Sequence, residues 1–162
     1  MVTEKDIWGF LEEVSDPEIP VLSVVDLGVV RTVELTPKNE CKITITPTYT
    51  GCPAMKTMEE DIISKLNEKG ISSVDVSLTL HPAWTTDWLS ENGKKKLKEY
   101  GIAPPENEVD KSVLFAEPTV VPCPLCHSEK TKMVSHFGST ACKAHYQCND
   151  CMEPFDYFKC LK

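Results

Sequence analysis

The fold of the last third of this chain is decided by the stretch CPLCHSEKTKMVSHFGSTACKAHYQCNDCMEPFDYFKC, residues 123–160. It contains two Cys-x-x-Cys pairs, Cys123 with Cys126 and Cys148 with Cys151. Two residues between cysteines form a tight turn in which both sulfurs point inward and backbone N–H groups can hydrogen-bond to them. The pairs are separated by 21 residues, just beyond the usual range for two turns that share one tetrahedral ion. The intervening chain only has to return as a hairpin, so this longer spacing still allows both turns to bind the same ion. The two pairs therefore predict a four-cysteine zinc ribbon.

Two other interpretations of these cysteines exist. A disulfide framework needs an oxidising compartment, and the first residues, MVTEKDIWGF, lack the apolar core of a signal peptide. An iron–sulfur cluster also takes four thiolates, and spacing does not exclude one. We favour one structural zinc ion per chain, because a closed site stabilises a segment too small to bury much apolar surface.

The same stretch holds further metal-ligand residue types. Cys142 and Cys160 are candidates for an auxiliary role, but we expect them to be buried small residues beside the metal site. His127, His136 and His145 could each replace a ligand, although a histidine near a cysteine site is more often a surface or second-layer residue. The two Cys-x-x-Cys pairs therefore remain the predicted ligand set.

Composition narrows the class of protein. The chain has 162 residues, 41% of them hydrophobic and 26% charged, and a net charge of −8. This acidic balance opposes nucleic-acid binding, because that binding depends on neutralising phosphates. No apolar run approaches the roughly 20 residues that cross a bilayer, so we expect no membrane association. Eight cysteines without a secretion signal predict a reducing cytoplasm.

The first hundred residues carry the patterns of a small α+β domain. Thr3 to Asp6 resembles a capping box and precedes apolar residues at helical spacing, and later stretches alternate as half-buried strands do. We expect a small mixed sheet covered on one face by helices. The predicted domains are 1–101 and 122–162, joined by a Pro-rich linker over 102–121 in which Val113-Leu114-Phe115 could dock as a strand. The predicted elements are helices over 3–14, 54–68 and 90–100, and strands over 29–35, 41–46 and 73–80.

Cys52 is a second position with chemical potential. It lies between a predicted strand and a predicted helix, with Pro53 at the expected first helical position. The free N–H groups and the positive end of the helix dipole should lower the pKa of this thiol and make it a better metal ligand or nucleophile. The alternative is a buried cysteine that caps a tight turn. We find no residue that could act as the base for covalent catalysis by Cys52. We expect Cys41, within a predicted strand, to be inert.

Residues 4 to about 101, with DPEIPVLSVVDLGVV and TPTYTGCPA, resemble the metal-sulfur cluster assembly domain related to the SufT family. The resemblance implies that Cys52 is the functional thiol and that Asp16, in the DPE turn, lies near it. It also implies delivery of iron or iron–sulfur clusters to recipient proteins.

The C-terminal segments CPLC, FGSTACKAHYQC and CMEPFDYFKC are similar to those of the PaaD family of phenylacetyl-CoA 1,2-epoxidase subunits, which act in aerobic phenylacetate degradation. His145 stands where that family usually has a hydrophobic residue. The resemblance covers nearly the whole chain and implies an accessory, non-catalytic subunit whose partners are a di-iron oxygenase and a reductase. A homodimer is also plausible.

Three hypotheses follow. In the first, Cys52 transiently holds iron or a cluster and the ribbon docks on the client protein. In the second, the chain is a structural subunit that uses Phe155, Tyr157 and Phe158 as a binding surface, although these aromatics could instead pack on the zinc core. In the third, the ribbon binds nucleic acid, which the acidic charge opposes.

Overall fold

The computed structural model describes residues 2–105 and 120–159. The chain divides into two compact units. The first unit is Met1–Trp84 with Trp88–Gly93, and the second is Thr85–Asp87 with Lys94–Lys162.

The first unit is built on a three-stranded mixed sheet in the order β1-β2-β3. β1 pairs antiparallel with β2, and β3 pairs parallel with β2, which confirms the predicted α+β class. Helix α2 packs on β3 and on α1. The elements are α1 (Glu4–Leu11), β1 (Val30–Leu35), β2 (Glu40–Ile45), α2 (Ala54–Glu68) and β3 (Ser73–Leu78).

Helix α1 begins at the predicted capping box. The Thr3 hydroxyl accepts the Asp6 N–H, and the Asp6 carboxylate accepts the Thr3 N–H at 2.8 Å. The reciprocal bonds satisfy backbone donors that a helix start leaves without partners. The helix ends at Leu11, three residues before the predicted end at Val14.

The core of the first unit follows the two periodicities of its elements. On β2, Cys41, Ile43 and Ile45 are buried while Lys42 between them is exposed, as alternation requires. On α2 the buried residues from Met55 onward recur every three or four positions, so one stripe of the helix covers the sheet. These residues are Ala54, Met55, Met58, Ile62 and Leu66.

A sharp turn around Gly28 completes the first unit. Gly28 has φ +71°, and a Cβ there would overlap the Trp88 carbonyl oxygen. Asp26 is buried, its Oδ1 accepts the Ser90 hydroxyl at 2.9 Å, and its carbonyl accepts the Ser90 N–H at 2.8 Å. Only glycine fits a left-handed position with backbone this close.

Helix α3 (Glu91–Tyr100) begins in the first unit and continues into the second. The second unit carries a four-stranded sheet in the order β4-β7-β6-β5. β5, β6 and β7 form antiparallel pairs, as a ribbon does, and β4 adds to β7 in parallel. The strands are β4 (Ile102–Ala103), β5 (Thr131–Ser135), β6 (Lys143–Cys148) and β7 (Pro154–Phe158).

The core of the second unit is aromatic. The Tyr146 ring stacks on Phe155 with centroids 5.8 Å apart and meets Tyr157 edge-on at 5.7 Å. Phe155, Tyr157 and Phe158 are at most 5% exposed. The hypothesis that these three aromatics form a protein-binding surface is therefore wrong, because their side chains are buried in the second unit.

The segment predicted as a linker begins with a strand, since Ile102 pairs with Asp156 and Ala103 with Tyr157. Val113-Leu114-Phe115 lies outside the described residues, and the predicted domain bounds stay a prediction. Within the described part of the chain, no helix has the length and apolar character to cross a membrane.

Candidate metal centre and the Cys52 loop

The four predicted ligands come together in the second unit. The sulfur atoms of Cys123, Cys126, Cys148 and Cys151 all lie within 4.8 Å of one another. Those of Cys123 and Cys151 are 3.7 Å apart, and those of Cys126 and Cys148 are 3.6 Å apart. Four sulfurs placed tetrahedrally about 2.3 Å from a zinc ion would be separated by about 3.8 Å. The donor set and its spacing therefore fit a tetrahedral zinc ion.

Backbone hydrogen bonds shape the two turns that carry these sulfurs. The His127 N–H donates to the Cys123 carbonyl at 2.9 Å, and the Cys151 N–H donates to the Cys148 sulfur at 3.5 Å. The residue after each turn, His127 in the first and Met152 in the second, has φ near +64° (63° and 64°). Non-glycine residues rarely adopt this conformation, so both turns hold mild backbone strain. The sequence carries no signal for it, because neither position is Gly or Asn.

The thiols of this cluster perturb one another. The Cys151 N–H, followed by smaller contributions, lowers the pKa of Cys148 to about 7. At Cys151 the Glu153 N–H acts to lower the pKa, but burial and the three neighbouring sulfurs raise it to about 12. Four negative sulfurs this close repel each other, so the fully ionised set needs a cation among them.

The other candidate residues of the ribbon lie outside this cluster. No fifth described residue joins the four sulfurs. Cys142 is buried, as expected, and its sulfur lies 3.0 Å from the Thr140 hydroxyl. His145 Nδ1 lies 3.3 Å from the Asp156 carboxylate. Cys160 lies outside the described residues.

Cys52 lies in the first unit on the loop between β2 and α2. It is half-buried and precedes Pro53, which caps the helix and so lies one position earlier than predicted. Burial raises the pKa of Cys52, while the Ala54 N–H and the Tyr49 side chain act in the opposite direction with less effect. The expectation of a lowered pKa is therefore wrong, because the cost of desolvating the thiolate exceeds what the helix start offers.

Two carboxylates act electrostatically on Cys52. The carboxylates of Glu18 and Asp16 are close enough to raise the pKa of this thiol further through their charges. Asp16 is 4% exposed, and its Oδ1 accepts the N–H groups of Glu18 at 2.6 Å and Ile19 at 2.7 Å. These bonds fix a buried carboxylate in the acidic-Pro turn, where the resemblance implied one.

A cleft of about 80 Å³ lies beside the Cys52 loop. The Thr46 hydroxyl is buried and has no hydrogen-bond partner within the described residues. Trp84, which also lines the cleft, is anchored because its ring N–H donates to the Leu27 carbonyl at 2.9 Å. The sequence analysis did not predict this cleft. Its lining residues are Thr46, Pro47, Thr48, Tyr49, Thr50, Leu80, Ala83 and Trp84.

Comparison with known proteins matches both parts of the chain. A model of iron–sulfur cluster assembly proteins matches residues 4–80, and a model of the PaaD zinc beta ribbon domain matches residues 107–159. An Escherichia coli K12 protein, provisionally named as a component of 1,2-phenylacetyl-CoA epoxidase, is 47% identical over 96% of this chain and 92% of its own length. The chain belongs to the PaaD family. This confirms the predicted family and the predicted ribbon class.

Several relatives beyond the PaaD family are named as Fe-S protein maturation auxiliary factors. An Fe-S protein maturation auxiliary factor of Porphyromonas gingivalis is 38% identical over 59% of this chain and 90% of its own length. The crystal structure of a DUF59 domain from Bacillus anthracis matches with a TM-score of 0.55 at 30% identity. It covers 58% of this chain and 90% of that chain. An accessory role in iron–sulfur assembly agrees with these relatives.

Proposed function

We propose that this chain is an accessory, non-catalytic subunit that handles iron or an iron–sulfur cluster for the oxygenase or reductase subunits of a phenylacetyl-CoA 1,2-epoxidase. The influence of the Glu18 and Asp16 charges on Cys52, in the part of the chain that matches cluster assembly proteins, is the observation that supports this proposal. The similarity to a protein named as an epoxidase component suggests the client complex. The cytoplasm is the proposed location.

The environment of Cys52 suits a metal cation better than a substrate carbonyl. A raised pKa keeps the thiol protonated at neutral pH, which makes it a poor nucleophile. The same two carboxylates that disfavour a lone thiolate would stabilise a cation beside it. A metal that displaces the thiol proton therefore gains three nearby anionic groups, from Cys52, Asp16 and Glu18.

The ribbon has a separate role in this proposal. Cys123, Cys126, Cys148 and Cys151 would hold one zinc ion, which links the start of the ribbon to the end of β6 and supplies folding free energy. A closed set of four protein ligands leaves no position for substrate, so the zinc would be structural.

The deciding experiment uses Cys52→Ser in a strain that co-expresses the oxygenase and reductase subunits. We expect an intact fold and one zinc per chain, but partner subunits with low iron content and no ring epoxidation. Cys41→Ala is the matched control, because Cys41 is 1% exposed in β2 and lies outside both sites. Normal partner iron content with Cys52→Ser would overturn the proposal.

A second candidate is a structural subunit that does not handle metal for its partners. The observation that favours it is the pair Leu125 and Met152, which are 65% and 60% exposed beside the turns of the metal centre. Apolar side chains so exposed suit a protein interface. Co-purification with the oxygenase at fixed stoichiometry, lost in a Leu125→Glu, Met152→Glu double variant while partner iron is unchanged, would support this candidate.

A further inference from the structure

The two edge strands of the sheet in the first unit, β1 and β3, differ in their ability to pair with another strand. On β1 the register shifts between Val30 and Thr32, and the Leu35 N–H donates to the Glu4 carboxylate at 3.2 Å. An irregular register and a side-chain partner both make an edge less able to accept another strand. β3 has neither feature: its pairing with β2 is regular over all six residues, and no other described element bonds to its outer side. Among the elements that the structure describes, β3 therefore has the open edge.

The backbone groups on the outer side of β3 can be identified. The Thr79 N–H donates to the Ile45 carbonyl at 2.9 Å, so the backbone groups of Thr79 point toward β2. Because successive residues of a strand point their backbone groups to alternate sides, those of Val74, Val76 and Leu78 point away from β2. These three residues offer N–H donors and carbonyl acceptors to an incoming strand.

The side chains of the same residues are apolar and incompletely covered. Leu78 is 54% exposed, Leu80 just beyond it is 46% exposed, and Val74 and Val76 are half-buried. Asp75 is the one charged residue of β3 and points to the other face. An apolar face next to unpaired backbone groups is typical of a strand that pairs with another.

We infer that two copies of this chain pair through β3, antiparallel about a two-fold axis at Val76, to form one six-stranded sheet. In this register Val76 faces Val76 of the second copy, and Val74 faces Leu78 of the second copy. Asp75 faces Ser77 of the second copy, so no like charges meet. A register centred on Asp75 would instead place two carboxylates directly opposite each other, which is unfavourable. The sequence of β3 is thus self-complementary in the way a two-fold interface requires.

The expected interface is small. Edge pairing of six-residue strands belongs to the class of interfaces below about 1,200 Å², which form weak complexes. Each copy also carries a net charge of −8, and this repulsion opposes association at low ionic strength. We therefore expect a dimer at micromolar concentrations that becomes tighter as sodium chloride screens the charges. The inference does not depend on the function proposed for Cys52.

Sedimentation equilibrium of the zinc-loaded full chain over a range of concentrations and salt tests this. Val76→Pro removes only a donor that points away from β2, so the fold should persist while the dimer is lost. Leu78→Lys should also give a monomer. It replaces Val76→Pro as the test variant if circular dichroism shows that the proline variant is unfolded. Val134→Lys in β5 is the matched control, because Val134 is 57% exposed and lies outside the first unit.

The register has its own test. Two Val76→Cys chains would place their Cα atoms about 5.5 Å apart, a distance that a disulfide spans. Oxidised glutathione should cross-link this variant and not Ser73→Cys, whose equivalent positions lie far apart in the proposed register. A monomer at every concentration, or equal cross-linking of the two variants, would overturn the inference.

Discussion

The sulfur atoms of Cys123 and Cys151 lie 3.7 Å apart, although the residues are 28 positions apart in the chain. Cys123 is buried and Cys151 is exposed, and the other close pair likewise joins buried Cys148 to exposed Cys126. Each pair therefore joins one inner and one outer sulfur from different turns. An ion bound among them would be enclosed by protein on one side and accessible on the other, which makes the centre open to chelators.

Removal of the metal should unfold the ribbon. Zinc binding contributes about 10–16 kcal/mol in small zinc domains, far more than an ordinary packing contact. We expect Cys148→Ala, or chelation by EDTA, to abolish the near-ultraviolet circular dichroism of the Tyr146 and Tyr157 core. Elemental analysis should show one zinc in the unsubstituted chain and none in the variant.

The control for this prediction is Cys142→Ala, because Cys142 lies in the same unit but outside the four-sulfur cluster. It should keep one zinc per chain. Sulfide-to-iron absorption bands that persist in Cys52→Ser protein and disappear in Cys148→Ala protein would contradict the zinc assignment. One zinc per chain retained in Cys148→Ala protein would show that Cys148 is not a required ligand.

The reactivity of Cys52 should depend on pH in a defined direction. Its pKa is raised by burial and then by the charges of Glu18 and Asp16, so at pH 8 its thiolate fraction is below that of an ordinary cysteine. Alkylation by iodoacetamide should therefore reach its half-maximal rate at a higher pH than for a model thiol. Mass spectrometry of the peptide that contains Cys52 measures this rate.

Two variants test the electrostatic cause. Glu18→Gln and Asp16→Asn each remove a negative charge, so the pKa of Cys52 should fall and alkylation at pH 8 should become faster. The amide oxygen of Asp16→Asn can still accept the N–H groups of Glu18 and Ile19, which protects the turn. Glu34→Gln, on β1 and exposed, should leave the rate unchanged. An unchanged rate in both test variants would show that the carboxylates do not act on this thiol.

Local patterns in the sequence predicted much of the architecture. Each Cys-x-x-Cys pair predicted a turn that presents two sulfurs, and the Thr3–Asp6 box predicted the start of α1, because both features depend on residues a few positions apart. What the sequence could not show depends on tertiary contact. The pairing of Ile102 with Asp156 joins residues from distant segments, and the burial that raises the pKa of Cys52 comes from its surroundings.

The turn at Gly28 should tolerate no side chain. In Gly28→Ala the left-handed backbone costs about 1–2 kcal/mol, and the clash with Trp88 adds about 1–3 kcal/mol. Gly70→Ala is the matched control, since φ at Gly70 is +89° but nothing lies within 4 Å of a Cβ there. It should lose only the backbone contribution. Urea unfolding gives both values, and equal losses would show that the Trp88 contact relaxes freely.

The buried Lys143 should make Asp156 important for stability. The Lys143 side chain is 5% exposed, and its ammonium lies 3.7 Å from the Asp156 carboxylate, which also accepts the Ser139 hydroxyl at 3.0 Å. Asp156→Ala removes this carboxylate from beside a buried ammonium and should cost about 3 kcal/mol of unfolding free energy. Lys143→Met removes the buried charge and should cost less, whereas Glu60→Ala, in an exposed pair with Lys56, should cost below about 0.5 kcal/mol. Urea titration of the zinc-loaded chain measures the free energy of unfolding of all three variants. A larger loss for Lys143→Met than for Asp156→Ala would show that packing of the lysine stem, and not its charge, stabilises this part of the ribbon.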